Sequence, residues 1–324
     1  MTSVAASCWT ERSQRNLLDL MKETTQARCV VSLVKKSQES LQVEGLRVYS
    51  AYEKSPFLSI KHTSYFHVYE RLLSPLAGRP ITFVEVGVLN GGSLFMWRQF
   101  FGDRARIIGV DLNPAAKRWE DDGFEIWIGN QADPAFWRTF TASVGTIDVL
   151  LDDGGHSNIQ QIQTVSSVAP MINDGGMVIV EDTHASYMTQ FGNPSRHSFL
   201  RFAFHTVDAI NSRFPGVEAS SNPLNQFVSS ISFYESIVVF HVDRRDCFLS
   251  EPTSNEGLSL GASDYRFEAT AGRSVARLRD LLQKKFDTLP PTSRLRHLGR
   301  RAFSLVLFLQ SRIGNRRAST FFRR

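Results

Sequence analysis

Cysteine is scarce in this sequence, and the cysteines that occur form no metal-binding pattern. The chain has three in 324 residues, Cys8, Cys29 and Cys247, which lie far apart and make no CxxC pair or Cys/His zinc spacing. This absence argues against a zinc site. We expect reduced thiols in an intracellular protein.

Long apolar runs are also missing. The longest one, residues 302–309, is far shorter than the roughly 20 residues that cross a bilayer. The N-terminal stretch MTSVAASCWTERSQ has no cationic segment followed by an apolar run, so no secretory signal is predicted. We therefore expect a cytoplasmic protein.

Acidic residues are absent from the end of the chain. Residues 291–324 contain nine arginines and no Asp or Glu, so a net charge of +5 for the whole chain leaves −4 for residues 1–290. An acidic body argues against nucleic acid as a partner. The 294–324 tail has two interpretations: a basic amphipathic helix on the inner face of a membrane, or a helix packed on the body or on a second subunit of a homo-oligomer.

Five short apolar runs with helix-length segments between them predict an α/β fold with a doubly wound, mostly parallel, Rossmann-like sheet. Two further runs predict an antiparallel pair at the edge of this sheet. The seven runs are residues 81–88, 106–112, 124–129, 146–153, 175–182, 227–235 and 236–242. We predict three regions: a helical N-terminal extension or lid (1–75), a catalytic domain (76–245), and a C-terminal extension with a basic helical tail (246–324). A further helix is predicted over residues 275–289.

The first strand leads into a glycine loop, E-V-G-V-L-N-G-G-S, which contains Glu85, Gly87, Gly91 and Ser93. Glycines let a backbone turn tightly and approach a ligand, and free amides at the following helix start favour an anionic group. The spacing is not the G-x-G-x-x-G of nicotinamide-binding folds. It resembles the first motif of class I methyltransferases, which makes S-adenosylmethionine the predicted cofactor; a tight turn without a ligand is the alternative.

Polar residues follow the second and third strands, where ligands of such sheets bind. Asp111 is placed to accept hydrogen bonds from ribose hydroxyls, and Asn130 and Gln131 to contact adenine or line the pocket. Asp133 is predicted to share that role, with an N-cap of the next helix, directly before Pro134, as the alternative.

Acidic residues and histidines follow the fourth and fifth strands. The fourth strand ends in D-D-G-G-H (152–156) and the fifth in E-D-T-H (181–184). Carboxylates gathered at neighbouring strand ends repel one another unless a cation lies between them, and Mg²⁺ with oxygen ligands meets that need. A solvated acidic rim without an ion is the alternative.

Residues 61–187 resemble the metal-dependent sugar O-methyltransferases of macrolide biosynthesis. The resemblance rests on K-H-x-x-Y-x-x-x-Y-E (61–70), F-V-E-V-G-V-x-x-G-G-S-L (83–94), G-V-D (109–111), G-N-Q-A-D (129–133), D-D-G-G-H (152–156) and E-D-T-H (181–184). It implies that Asp153, Glu181 and Asp182 bind Mg²⁺ and that His156 is the catalytic base. Gly155 stands where the family loop often has Ser. The N-terminal third and the part after residue 242 show no match, so the resemblance does not identify the acceptor.

The implied reaction agrees with the chemistry of these residue types. Chelation of vicinal hydroxyls by Mg²⁺ acidifies the attacking one, and His156 can accept its proton. The expected acceptor is therefore a small molecule or glycan with vicinal hydroxyls. Lys61 and Tyr65 precede the first strand and are predicted to close over the amino-acid end of the cofactor, whereas Tyr69 is as compatible with core packing.

Two other functions are compatible with the same residues. A non-haem iron oxygenase could use His156, His184 and one carboxylate as a two-histidine, one-carboxylate triad. A cofactor-binding scaffold without turnover would use the glycine loop alone. The glycine loop and the complete set of acids favour the methyltransferase over both.

Overall fold

In the computed structural model, residues 43–258 are described continuously, followed by scattered residues between 260 and 322. The chain divides into two compact units, Met1–Glu251 and Pro252–Arg324. The first unit contains the sheet that is described below. In the second, helical positions are described between residues 281 and 318, and a short 3₁₀ turn spans Ser319–Phe322.

A seven-stranded sheet has the order β3-β2-β1-β4-β5-β7-β6, in which β1 to β5 are parallel and β7 pairs antiparallel with both β5 and β6. The strands are β1 (Thr82–Val86), β2 (Arg106–Asp111), β3 (Glu125–Ile128), β4 (Ile147–Asp152), β5 (Ile172–Val180), β6 (Val228–Tyr234) and β7 (Ile237–Val242). The predicted fold class is confirmed, including the antiparallel pair that completes one side of the sheet.

Six α-helices are described up to residue 258. They are α1 (Arg47–Glu53), α2 (Thr63–Leu73), α3 (Gly92–Phe101), α4 (Pro134–Val144), α5 (Asn158–Val168) and α6 (Phe199–Asn211). The helix α3 begins directly at the glycine loop, and α4 and α5 begin just after the ends of β3 and β4. These connections bring the carboxyl ends of the parallel strands to one edge of the sheet.

Apolar side chains cover both faces of the sheet, as expected because the strands consist of continuous apolar runs. Successive residues point to opposite faces, so Phe83 belongs to the core beneath α1, α2 and α3, while Val84 belongs to the core beneath α4, α5 and α6. Both side chains are fully buried. The two cores hold the strand ends in register, and this register positions the site.

The second crossover differs from the helix-length segment that the sequence predicts. Residues Pro114–Asp122 form a 3₁₀ segment that Asn113 caps by accepting a hydrogen bond from the Ala115 amide. Its buried residues, Ala116 and Trp119, lie three positions apart, which is the period of a 3₁₀ helix. The strand β5 also begins three residues earlier than predicted, at Ile172.

Several predictions lie wholly or partly outside the described residues. These are the helical extension before residue 43, most of the 275–289 helix, and much of the 294–324 tail. Across the residues that are described, no helix combines the length and the apolar character that crossing a membrane requires.

Candidate active site

A cavity of about 600 Å³ lies at the carboxyl ends of the parallel strands, a volume suited to a nucleotide-sized ligand. Eight of the residues predicted for the site line it together: Gly87, Ser93, Asp111, Asn130, Gln131, Asp153, His156 and Asp182. Five predicted cofactor residues lie outside its lining: Lys61, Tyr65, Glu85, Gly91 and Asp133. The topology thus gathers residues from the ends of five strands, β1 to β5, around one space.

The glycine loop fits closely against the neighbouring strand. Gly87 has φ +95°, and a Cβ there would lie 2.1 Å from the carbonyl oxygen of Asp153. The loop is held from the other side by Asp111, whose Oδ2 accepts hydrogen bonds from the amides of Val88 at 2.8 Å and Leu89 at 3.0 Å. Asp111 therefore shapes the loop as well as lining the cavity.

Glu85 is fully buried beneath the loop and does not reach the cavity. Its carboxylate accepts hydrogen bonds from Ser93 Oγ at 2.7 Å and Trp97 Nε1 at 3.0 Å, which ties β1 to the first turns of α3. Burial raises the pKa of Glu85 to about 7, although the nearby Lys61 ammonium opposes the shift. Gly91 also has a packing role, because a Cβ there would meet the indole ring of Trp119 at 2.4 Å.

The predicted contact residues that follow β3 differ in burial. Gln131 is buried, and its amide group donates to the Asp152 carboxylate at 3.0 Å and accepts from the Gly155 amide at 2.9 Å. It therefore holds the loop after β4 in place. Asp133 is exposed and caps α4 by accepting a hydrogen bond from the Ala135 amide at 2.8 Å.

A segment before α2 also lines the cavity, and no pattern in the sequence predicts it. Leu58, Ser59 and Ile60 form one wall. A Cβ at Gly92 would lie 2.5 Å from the Leu58 carbonyl oxygen, so the segment packs directly on the start of α3. Ser59 is held in turn, because its carbonyl accepts a hydrogen bond from the Tyr52 hydroxyl at 3.1 Å. Such irregular backbone has no periodicity that would mark it as a binding element.

Asp153, His156 and Asp182 form a cluster whose potential ligand atoms lie within 4.8 Å of one another. The His156 Nε2 atom lies 3.3 Å from Asp182 Oδ2. Two of these residues have left-handed backbone conformations, with φ 57° for His156 and φ 54° for Asp182, a geometry that costs energy in residues with a side chain. Both strained residues aim their side chains at the same point beside the cofactor cavity.

Lys61 lies between the acids rather than over the cavity. Its Nζ is 2.6 Å from Asp153 Oδ2 and 3.0 Å from Glu181 Oε2, and its side chain is only 2% exposed. Burial alone would lower the pKa of Lys61, but the surrounding carboxylates outweigh it and hold that pKa well above its usual value. Tyr69 completes this group, because its hydroxyl donates to Glu181 Oε1. Glu181 is 1% exposed and thus lies deeper than Asp153 and Asp182.

The charge of this cluster favours binding of a divalent cation. Three acids, Glu85, Asp153 and Glu181, have a carboxyl oxygen within 3.8 Å of the Lys61 ammonium, and Asp153 also clusters with Asp182. Burial raises the pKa of Glu85 and of Glu181, yet the acids still outnumber the single ammonium. Asp153 and Asp182 are partly exposed on the cavity side and have oxygen atoms of the type that Mg²⁺ prefers. The donor set therefore fits Mg²⁺, with Lys61 supplying part of the compensating charge.

The iron triad does not assemble. In the stretch of chain that the structure describes, the cluster contains one histidine, His156, and two carboxylates. His184 turns away, with Nδ1 at 2.5 Å from Ser236 Oγ and 3.9 Å from the nearest Asp182 oxygen. The iron oxygenase alternative is therefore not supported, because it needs two histidines and one carboxylate around one point.

Tyr65 links the acid cluster to the far side of the sheet edge. Its hydroxyl lies 2.5 Å from Asp182 Oδ1 and 2.9 Å from Ser236 Oγ. Burial and the bond to Asp182 raise the pKa of Tyr65, so the phenol stays protonated and donates. Tyr65 is therefore a positioning residue for Asp182.

Part of the chain is similar to known methyltransferases. Residues 84–183 match the family model described as a methyltransferase domain. The chain is 29% identical over 188 residues to 8-demethyl-8-alpha-L-rhamnosyl tetracenomycin-C 2'-O-methyltransferase of Streptomyces olivaceus, covering 54% of this chain and 49% of the relative. It is 26% identical over 201 residues to mycinamicin VI 2''-O-methyltransferase of Micromonospora griseorubida, covering 58% and 48%. The chain thus spans about half the length of the curated relatives that it matches.

Among solved structures, the fold is similar to that of the MycE methyltransferase from the mycinamycin biosynthetic pathway, in complex with Mg and SAH. The TM-score is 0.56 at 20% identity, over 70% of this chain and 63% of that one. The predicted resemblance to macrolide sugar O-methyltransferases and the Rossmann-like methyltransferase fold are both confirmed.

Proposed function

We propose that this chain, which carries a methyltransferase domain, is an S-adenosylmethionine-dependent, Mg²⁺-assisted O-methyltransferase acting on a sugar hydroxyl of a glycoconjugate or natural product. The observation that supports it most directly is the cluster of Asp153, His156 and Asp182 at the edge of a nucleotide-sized cavity. The names of two sequence relatives state O-methylation of a rhamnosyl tetracenomycin and of mycinamicin VI.

The cavity residues account for cofactor binding. The glycine loop and the amides at the start of α3 form the floor, and Asp111 lies at the position where an acid can receive ribose hydroxyls. Asn130 lines the same cavity and is a residue predicted to contact the adenine. Methyl transfer is an in-line displacement, so the attacking oxygen must approach the methyl group from the side of the acid cluster.

The metal would be held by the partly exposed acids. Asp153 and Asp182 offer oxygens at the cavity edge, and Glu181 is the predicted third ligand. When bound, Mg²⁺ acidifies a chelated sugar hydroxyl and orients it. Because Glu181 contacts Lys61 and Tyr69, its carboxylate is oriented from behind by this chain's own side chains.

His156 is the proposed general base. Its Nε2 atom lies next to Asp182 Oδ2, so the carboxylate orients the ring and stabilises the imidazolium that forms when the proton is taken up. The methyl group forms a new C–O bond as the C–S bond breaks, and the hydroxyl proton passes to His156. Neutral thioether product and protonated base balance the reaction.

The test is a methyl-transfer assay on rhamnosylated and olivosylated polyketide acceptors, with Mg²⁺ or with EDTA. We expect turnover to require the metal, and His156→Ala to lower kcat by roughly 10²–10⁴-fold. Asp153→Ala should abolish the Mg²⁺ response. Asp174→Asn is the matched control, because Asp174 pairs with Arg244 away from the site and its substitution should leave turnover unchanged.

Three outcomes would contradict the proposal. Turnover that persists in EDTA would show that the reaction does not require the metal. Full turnover in His156→Ala would show that His156 is not the general base. Cofactor binding without methylation of any acceptor would favour a non-catalytic scaffold instead.

A further inference from the structure

The arginine-rich segment 291–324, which has no acidic residue, belongs to the second compact unit, Pro252–Arg324. Every described position in it from Arg294 to Ala318 is α-helical. None of the residues assigned to the cofactor, the metal or the base lies in this segment. The sequence leaves it two interpretations, a helix on a membrane surface or a helix packed on protein, and its helical faces distinguish between them.

Six described residues of this helix recur at intervals of four, three, four, three and four positions. At 3.6 residues per turn, such positions lie within an arc of about 80° and share one face. This face, which we name the basic apolar stripe, consists of three arginines and three large apolar residues: Arg294, Leu298, Arg301, Leu305, Phe308 and Arg312. The stripe therefore places cationic and apolar side chains next to one another along the helix.

The whole basic apolar stripe is open to water. Leu298 is 68% exposed, Leu305 58% and Phe308 55%, and the three arginines are exposed as well. Gly299 lies outside the stripe and is buried, and a Cβ there would lie 2.3 Å from the ring of Phe286 in the same unit. The helix thus packs within its own unit through a different face and presents the stripe to solvent.

The composition of the stripe restricts what can bind to it. Large apolar side chains grouped on one exposed helix face are typical of an interaction surface. An arginine can lay its aliphatic stem along apolar groups while its guanidinium reaches a polar layer. Such a contact already exists within the stripe, because the guanidinium of Arg312 lies over the Phe308 ring, 5.5 Å from its centroid. A matching partner must offer apolar groups and anions side by side.

The charge of the stripe argues against two other partners. Pairing with the same stripe of a second copy would bring arginines against arginines, and residues 291–324 contain no acid to compensate them. A nucleic acid offers phosphates to the arginines but would leave Leu298 and Leu305 against a charged backbone, where their apolar surface gains little. The surface of an anionic membrane has phosphates and acyl chains within a few ångströms of each other, and meets both needs.

We infer that the basic apolar stripe binds the surface of an anionic lipid membrane. The guanidinium groups contact lipid phosphates, and Leu298, Leu305 and Phe308 enter the upper part of the acyl layer. This is attachment in the plane of the interface, consistent with the lack of a membrane-crossing helix among the described residues. The inference does not depend on the proposed function, because it uses neither the cofactor cavity nor the acid cluster.

The experiment measures co-sedimentation of the full chain with two kinds of vesicle, one of phosphatidylcholine alone and one of phosphatidylcholine and phosphatidylglycerol in equal parts. We expect binding to the anionic vesicles to be at least about tenfold tighter, because each cation near an anionic surface contributes about fivefold. Raising the salt from about 0.1 M to about 1 M shortens the Debye length from about 10 Å to about 3 Å and should weaken this binding.

Two double variants separate the two parts of the stripe. Arg294→Gln with Arg301→Gln should weaken binding to the anionic vesicles by about thirtyfold. Leu298→Gln with Leu305→Gln keeps the charge but removes apolar groups, and should weaken binding by at least about tenfold. Glutamine is used in both because it has a high helix propensity, so the helix itself is retained.

Matched controls make the same changes elsewhere on the surface. Arg138→Gln with Arg201→Gln removes the same charge from exposed positions of α4 and α6, and Leu249→Gln removes a 64% exposed leucine from the first compact unit. We expect these variants to bind the anionic vesicles as tightly as the wild type. Thermal unfolding of all the variants at the wild-type temperature shows that they fold.

Equal binding to the two kinds of vesicle would overturn the inference, because the anionic lipid would then contribute nothing. Equal losses in the stripe variants and their controls would also overturn it and assign the binding to net charge. If the chain ignored both vesicles but formed a dimer that Leu298→Gln with Leu305→Gln dissociates in sedimentation velocity, the stripe would belong to a contact between copies. Binding of single-stranded RNA with the same arginine dependence, and of neither vesicle, would assign it to nucleic acid.

Discussion

The glycine side of the site, at the ends of β1 to β3, and the acidic side, at the ends of β4 and β5, are held in different ways. On the glycine side, carboxylates and amides bind backbone close by: Asp133 caps a helix two residues away, and Asp111 reaches across 23 residues to Val88. On the acidic side, Lys61 binds Asp153 across 92 residues and Glu181 across 120. The contacts on the glycine side span fewer residues, whereas the acidic side depends on Lys61, which lies in the segment directly before α2.

The two sides are therefore expected to lose stability for different physical reasons. On the glycine side the constraint is steric, because backbone atoms approach too closely for a side chain. On the acidic side it is electrostatic, because buried carboxylates need a cation. Substitutions that remove one constraint at a time should therefore separate the two sides.

The largest effect is expected from Gly87→Ala. The new Cβ would meet the Asp153 carbonyl oxygen at 2.1 Å, backbone that cannot move without shifting β4, so we expect a loss of about 4–5 kcal/mol in the free energy of unfolding. S-adenosylhomocysteine binding, measured by calorimetry, should be lost with it.

Gly123→Ala is the control for this substitution. Gly123 is also left-handed, with φ 81°, but a Cβ added there would have no other atom within 4 Å, so only the backbone strain of about 1–2 kcal/mol remains. Equal losses in the two variants would show that strain, and not the contact with β4, restricts Gly87.

Lys61→Met should follow in size. It leaves Asp153 and Glu181 without their buried cation, and breaking a buried ion pair in this way costs about 3–5 kcal/mol. Because Mg²⁺ can neutralise the same acids, we expect thermal unfolding to show a larger loss in EDTA than in Mg²⁺.

The matched control is Lys117→Met, which removes an exposed lysine paired with Glu120 and should change stability by about 1 kcal/mol or less. If Lys61→Met were equally destabilised with and without Mg²⁺, the lysine and the metal would not share these carboxylates.

Glu85→Gln tests the buried carboxyl group that lies beneath the glycine loop and near Lys61. Because the folded-state pKa of Glu85, about 7, lies above its unfolded value, the protonated carboxyl stabilises the fold at low pH, and this contribution is lost as the pH rises from 4.5 through 7. The glutamine variant lacks that loss, so the stability of the wild type relative to it should fall by on the order of 3 kcal/mol between pH 4.5 and pH 8.

Chemical denaturation of both proteins across this pH range measures the difference. Parallel pH profiles of the wild type and Glu85→Gln would mean that Glu85 titrates as it does in the unfolded chain.

The smallest effect is expected from Asp133→Ala. Loss of the N-cap of α4 should cost about 1 kcal/mol and leave cofactor affinity unchanged, while Asp133→Asn, which can still cap, should be near wild type. A fall in cofactor affinity without a change in stability would instead assign Asp133 to the predicted cofactor contacts.

Much of the fold could be predicted because its signals are local. Continuous apolar runs correspond to β1 through β5, and the adjoining runs at 227–235 and 236–242 correspond to the antiparallel pair. The conformation of Pro114–Asp122 is harder to predict from the sequence, because the length of the segment also suits an α-helix. The three-residue spacing of Ala116 and Trp119 favours a 3₁₀ segment only when both side chains are packed in the core.

The sequence by itself determined the glycine loop and the residue types at each strand end, because turns, caps and strand runs depend on near neighbours. Only the tertiary structure decided that Lys61 lies among the acids and that Glu85 is buried beneath the loop. These contacts join residues that are far apart in the chain. Their formation depends on how helices pack on a completed sheet, and no local spacing records that packing.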